Sequence, residues 1–269
     1  MAAADGDLKV SETPGAAGTR ASSSPAGPGT VLITGGASGL GAATVAAVRA
    51  AGGRPIILDR IPAPGVPETD REIVDLAATR DAEAAVRTLV DRAGGQLHGV
   101  FTAAGTDTPA PLDELDGAAW EHIVAVNLLG TAAVVRAALP YLRRGRDGRT
   151  GEERTGDGRT GRIVTCASTL GLRVAGDASA YCASKFGVVG FTRALAEELK
   201  GQVGVTLLVP GGMSTAFFDD RDEQYKPGPD AKLNRPEDVA ATVVFALGQP
   251  PGCELREIVI TSSWETSYP

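Results

Sequence analysis

The stretch Thr30-Val-Leu-Ile-Thr-Gly-Gly-Ala-Ser-Gly-Leu-Gly41 decides how the rest of the chain is read. Thr30 to Thr34 is a short β-branched, apolar run, the pattern of a buried strand. Gly35, Gly36, Gly39 and Gly41 follow at once, and an Ala-rich helical pattern then continues to about Ala51. Strand, glycine loop and helix together supply what a pyrophosphate needs. Glycine lets the backbone come close, and a helix N-terminus offers unpaired N–H groups at the positive end of its dipole. The spacing is Thr-Gly-x-x-x-Gly-x-Gly rather than the commoner Gly-x-Gly-x-x-Gly, so an ordinary glycine-rich turn is the competing explanation.

The next strand bears on that choice. Pro55 to Asp59 is apolar and ends in a carboxylate 20 residues after Gly39. A dinucleotide fold places there the acid that binds the adenosine ribose hydroxyls. A carboxylate in that position repels a 2′-phosphate, which favours NAD, while the adjacent Arg60 keeps NADP as the alternative. Strand and helix patterns go on alternating, and this predicts an α/β fold. Strands are expected at 71–75, 99–102, 162–166, 203–209 and 255–261, with helices at 80–93, 118–143, 178–200 and 236–247. Asn127 interrupts the apolar surface of the 118–143 helix, and Pro140 lies inside it. Thr102-Ala103-Ala104-Gly105 is a small-residue turn at a strand's carboxyl end, suited to a ligand lying against the backbone. Residues 212–235 hold Phe217, Phe218, Tyr225 and two proline-containing turns, the composition of a substrate lid.

On the 178–200 helix, Tyr181 and Lys185 are four residues apart and leave the same face. An ammonium beside a phenol favours the phenolate and lowers a pKa that is ordinarily about 10. This spacing therefore predicts a tyrosine able to act as a general acid/base near neutral pH. Such pairs also arise by chance in helices, so the surrounding residues must decide.

The 269-residue chain is 43% hydrophobic, with a net charge of −7. That balance gives no electrostatic case for nucleic acid or an anionic membrane. No run of about 18 uninterrupted apolar residues is present. Cys166, Cys182 and Cys253 form no Cys-x-x-Cys pair, and the first residues lack the pattern of a secretory leader; a reduced, cytoplasmic setting without a metal is expected. Residues 1–28 are rich in Ala, Gly, Ser and Pro and read as a disordered tail before a single domain over 29–269. Residues 143–162 repeat Asp-Gly-Arg-Thr-Gly twice and carry seven Arg against four acids. They read as a flexible basic insertion, with docking as the alternative.

Taken in order, these residues resemble the short-chain dehydrogenase/reductase family in its single-domain Tyr-x-x-x-Lys form, over about residues 30–261. The resemblance rests on Thr34-Gly-Gly-Ala-Ser-Gly-Leu-Gly41, Asp59, Asp75, Val126-Asn127-Leu-Leu-Gly130, Ser168 13 residues before Tyr181, Lys185, and Pro210-Gly211 followed by Thr215. It implies a Rossmann-like doubly wound parallel sheet of about seven strands in the order 3-2-1-4-5-6-7, with helices on both faces.

It also implies NAD(P)-dependent hydride transfer between a secondary alcohol and a ketone. Tyr181 would be the general acid/base, Lys185 would bind the nicotinamide ribose and lower the Tyr181 pKa, Ser168 would hold the substrate oxygen, and Asn127 would place a water. The cofactor would lie along Gly35, Ser38, Gly39, Leu40, Gly41, Asp59, Arg60, Asp75, Leu76, Ala103, Ala104, Gly105, Tyr181, Lys185, Pro210, Gly211, Met213 and Thr215. Phe217, Phe218 and Tyr225 favour an apolar substrate, and the family implies a homodimer or homotetramer. The other readings are an NADPH-dependent biosynthetic ketoreductase and a dinucleotide-binding regulator without catalysis. The sequence departs from the family in two places: Thr102-Ala-Ala-Gly105 replaces Asn-Asn-Ala-Gly, and Thr261-Ser-Ser-Trp264 replaces an Asp-Gly-Gly ending.

Overall fold

The computed structural model describes residues 27–143, 161–250 and 252–265. The expectations placed on residues 1–26 and 144–160, which make up nearly all of the tail and the insertion, lie outside these. Seven strands form one parallel sheet in the order β3-β2-β1-β4-β5-β6-β7. They are β1 (Thr30–Thr34), β2 (Arg54–Asp59), β3 (Arg71–Ile73), β4 (Gly99–Thr102), β5 (Arg162–Cys166), β6 (Gly204–Pro210) and β7 (Glu257–Ile260). The central strands are buried on both faces, which is why they read as unbroken apolar runs.

Alternate residues of each strand feed two cores. Leu32, Val100 and Ile163 point to one face, where they meet α2 (Thr79–Arg92), α4 (Thr131–Leu142) and α5 (Ser179–Glu198). Ile33, Phe101 and Val164 point to the other, beneath α1 (Gly39–Ala50) and α6 (Pro236–Leu247). Each such fully buried side chain contributes about 1.5–3 kcal/mol of transfer free energy. Pro236 opens α6 at its first turn, where no N–H partner is needed, with Glu237 and Asp238 beside the positive dipole end.

The expected 118–143 helix differs in a way that matters. It comprises α3 (Gly117–Val124), a six-residue π turn (Ala125–Gly130) and then α4. Where the turn widens, the Thr131 hydroxyl donates to the Asn127 carbonyl at 2.8 Å. At Gly130 a Cβ would lie 2.8 Å from Leu76, so this glycine lets the loop after β3 rest on the π turn. The combined Gly117–Leu142 helix is long and apolar enough to cross a membrane by length and composition, although the sequence shows no unbroken apolar run. Half of its most apolar window is buried within the protein, against α2 and α5. The 212–235 segment folds into two short 3-10 turns, Ala216–Phe218 and Glu223–Tyr225.

Candidate active site

The sheet order reverses between β1 and β4, and a crevice opens at the carboxyl ends of the strands flanking such a reversal. The glycine loop forms one wall. Gly35 has φ +70°, and a Cβ there would lie 2.9 Å from the Ala104 backbone. Gly41 seats α1 directly on the loop, since a Cβ would fall 2.0 Å from the Gly35 carbonyl. Ser38, exposed at the N-cap of α1, makes no side-chain capping bond. Leu40 and Gly41 are buried behind it. Across the crevice, Thr215 stands 3.6 Å from where a Gly39 Cβ would be.

Asp59, at the end of β2, braces this loop. Its Oδ2 accepts from the Ala37 N–H at 2.9 Å and its Oδ1 from the Ile61 N–H at 3.2 Å. Arg60 is exposed beside it. Asp75 is exposed and accepts from Ala77 N–H at 2.9 Å, while Leu76 is buried against Gly130. The Ala104 N–H donates to Thr34 Oγ1 at 3.1 Å, joining the ends of β1 and β4. Thr102, between Thr34 and Thr165 in the sheet register, keeps a buried Oγ1 with no hydrogen-bond partner. Pro210 and Gly211 are buried at the end of β6, and Gly211 N–H donates to Ile260 at 2.9 Å. Met213 pairs with Asn234, and Thr215 caps the 216–218 turn. The open helix end, the acid beyond it and the small residues just past β4 and β6 fit a nicotinamide dinucleotide.

The four residues expected to carry chemistry converge at the end of β5. Ser168 lies two residues past Cys166, its Oγ accepting from Leu170 N–H at 3.1 Å. The Tyr181 phenol is hydrogen-bonded with the Ser168 side chain. Lys185 Nζ is 5.5 Å from the Tyr181 ring centroid and donates to the Cys166 carbonyl at 3.0 Å.

Asn127 is 1% exposed and its side chain is fully engaged. Its Oδ1 accepts from Thr106 N–H at 2.8 Å, and its Nδ2 donates to the Thr106 carbonyl at 2.9 Å and to Ser184 Oγ at 3.0 Å. Asn127 thus pins the backbone beyond Gly105. A Cβ on Gly105 would stand 3.4 Å from Asn127 Oδ1 and 3.5 Å from Lys185 Nζ.

The Tyr181 pKa is raised rather than lowered as expected: burial pushes the phenol's pKa up, and the hydrogen bond with Ser168 opposes this without overcoming it. Lys185 is itself 4% exposed, so burial disfavours its charge and moves its pKa down. Helical spacing brings the two side chains together, but it says nothing about how dry their surroundings are.

Neither Asp107 nor Arg221 belongs to a motif that marks it in the sequence. Arg221 Nη2 donates to Asp107 Oδ2 at 2.9 Å, with the two side chains 13% and 4% exposed. The guanidinium lies 4.7 Å from the ring centroids of both Phe217 and Phe218, and the Phe217 ring in turn packs at a tilt against Tyr181, with centroids 5.9 Å apart. The aromatic side of the site, read as apolar, therefore carries a buried ion pair. Arg221 is set among Asp219, Asp220 and Asp222, and its basic charge in an acidic run is the only sequence signal it leaves. Tyr225 turns away and donates to Asp177 at 3.0 Å.

Comparison with known proteins agrees with this fold. The profile of the family described as short chain dehydrogenase matches residues 29–226. The L-fucose dehydrogenase of Mus musculus is 29% identical over 258 residues, covering 88% of this chain and 89% of the relative. The cis-4-hydroxycyclohexanecarboxylate dehydrogenase of Sinomonas cyclohexanicum is 31% identical over 231 residues, covering 80% and 87%. Among solved structures, an alcohol dehydrogenase from Thermococcus sibiricus complexed with 5-hydroxy-NADP superposes with a TM-score of 0.71. It has 21% identity, over 88% of this chain and 97% of that one.

Proposed function

The chain belongs to the short-chain dehydrogenase family of oxidoreductases, and from that premise we propose that it interconverts a secondary alcohol and a ketone with Tyr181 as general acid/base. The observation that carries this reading is the junction of Tyr181 with Ser168 and Lys185 at the carboxyl end of β5, beside the glycine loop. A bound nicotinamide dinucleotide supplies the hydride chemistry. Ser168 and Tyr181 hold the substrate oxygen; the Tyr181 phenol gives its proton to that oxygen in reduction, and in oxidation the hydroxyl proton is taken by Tyr181 as its phenolate. Lys185, anchored on the Cys166 carbonyl, keeps a cation near the phenol as negative charge develops on it. Asn127 fixes the floor of the site through Thr106. Phe217, packed at a tilt against Tyr181, makes the 212–235 segment the lid that excludes water.

For the cofactor, NAD is favoured because Asp59 presents a carboxylate at the end of β2. The exposed Arg60 beside it favours the second reading, an NADPH-dependent reductase. The relatives' names point to a sugar in one case and a hydroxylated ring acid in the other, which supports a ring-borne hydroxyl as the reacting group. The test is to screen cyclic secondary alcohols for NADH formation, with Tyr181→Phe as the blank. Turnover that persists in that variant rules out the assigned role.

A further inference from the structure

The buried pair of Asp107 and Arg221 has no part in the acid/base chemistry, yet it stands beside it. Its two halves are held by different parts of the fold. Asp107 follows Thr106, whose backbone is clamped on both sides by Asn127. Arg221 comes from the 212–235 segment and is held between Phe217 and Phe218. One side is therefore floor, and the other is lid.

The pair is also one bond short. A guanidinium meeting a carboxylate side-on can make two parallel bonds. Here only Nη2 to Oδ2 is formed between the pair; the Thr108 backbone N–H also reaches the Asp107 carboxylate, yet Arg221 Nε and Asp107 Oδ1, both buried, make no hydrogen bond of good geometry. One donor and one acceptor of the same ion pair thus lie buried and unpaired, and an unsatisfied buried polar group is costly. A hydroxyl is the simplest group that answers both, since it donates once and accepts as well. The charges of the pair cancel, so the site offers no net attraction to a carboxylate or phosphate.

Building on the dehydrogenase reading above, we propose that Asp107 and Arg221 recognise a second hydroxyl on the substrate, which is a neutral, polyhydroxylated cyclic alcohol. The substrate hydroxyl donates to Asp107 Oδ1 and accepts from Arg221 Nε, while the neighbouring carbinol faces Tyr181. This replaces the apolar substrate expected from the aromatic residues alone; the rings instead hold the guanidinium in place. The fields of both charged groups reach the Tyr181 phenol, as expected of residues next to the reacting centre.

The test compares cis-cyclohexane-1,2-diol, cyclohexanol and 4-hydroxycyclohexanecarboxylate as substrates for the wild type, Asp107→Asn and Arg221→Gln. The wild type is expected to favour the diol over cyclohexanol by about 100-fold or more in kcat/KM, since a site built around a hydroxyl strongly rejects the analogue lacking it. Each variant should lose at least about tenfold of that preference. Equal use of diol and cyclohexanol, preference for the carboxylate, or a preference untouched by both variants overturns the inference. Binding of the same probes to NADH-loaded Tyr181→Phe, measured by calorimetry with and without each second substitution, separates recognition from turnover. Diol binding that the second substitutions remove supports the pair even where no probe is oxidised, a result that would count against the dehydrogenase reading alone. NADH binding by each variant confirms that it is folded.

Discussion

Replacing Asn127 with Ala tests whether this residue is a structural clamp as well as a neighbour of the chemistry. The side chain makes three hydrogen bonds, two of them to the backbone N–H and C=O of Thr106. Ser184 Oγ keeps its own bond to the Tyr181 carbonyl at 2.7 Å, so the main loss falls on Thr106. Leaving a buried donor or acceptor unpaired costs about 1–3 kcal/mol each. Thr106 is only half-buried and water can reach part of it, which places the expected cost for the two groups near the lower end, at about 2–4 kcal/mol. For a domain of this size, 1 kcal/mol moves Tm by about 2–4 °C, so a fall of roughly 5–15 °C is expected. Urea unfolding of the cofactor-free protein measures the loss, with an unchanged slope showing that the native state is as compact as before. Activity should fall with it, because Gly105 and Asp107 flank the clamped residue. A loss below about 1 kcal/mol would refute the clamp, since it would mean that water replaces Asn127 at no cost.

Gly41→Ala places a Cβ 2.0 Å from the Gly35 carbonyl, backbone against backbone, and overpacking of this kind costs about 1–3 kcal/mol; NADH fluorescence titration should show weakened binding as α1 moves off the loop, and unchanged affinity would contradict that packing. Asp59→Ser should move the NADH-to-NADPH affinity ratio toward NADPH by about tenfold, or 1.4 kcal/mol, read from the same titration. Part of the NADH loss there will come from the two backbone N–H groups that Asp59 now holds. The pKa of Tyr181 is raised by burial, so before cofactor and substrate bind the phenol stays protonated through neutral pH. Because the folded value exceeds the unfolded one of about 10, its contribution to stability is complete below that pH and is lost as pH rises through the folded value. The 295 nm absorbance difference between wild type and Tyr181→Phe should therefore show no phenolate below about pH 10.

The sequence made the central sheet legible because strands buried on both faces read as apolar runs bounded by glycine, as Thr30–Thr34 and Arg162–Cys166 do. The edge strands came out shorter than expected, β3 ending at Ile73 and β7 at Ile260, where fewer side chains face a core. Asn127 stood out as a polar break in an apolar helix, but the π turn around it depends on backbone hydrogen bonding that periodicity does not encode. Tyr181 and Lys185 were legible from spacing, whereas the upward move of the phenol's pKa depends on burial contributed by the whole fold. Asp107 and Arg221 are 114 residues apart in the chain and meet only because the 212–235 segment folds over the end of β4, so no local pattern announces them.

The most direct test of the central claim follows the hydride, with and without the Tyr181 hydroxyl. The protein is incubated with NAD and cis-cyclohexane-1,2-diol deuterated at the carbinol carbons, and the nicotinamide product is examined by mass spectrometry. The account predicts that wild-type protein transfers one deuteride, carried with its electron pair, from the carbinol carbon to the cofactor. It also predicts that Tyr181→Phe transfers none while binding NADH as tightly as the wild type. Deuterium transfer at the wild-type rate by Tyr181→Phe would contradict it.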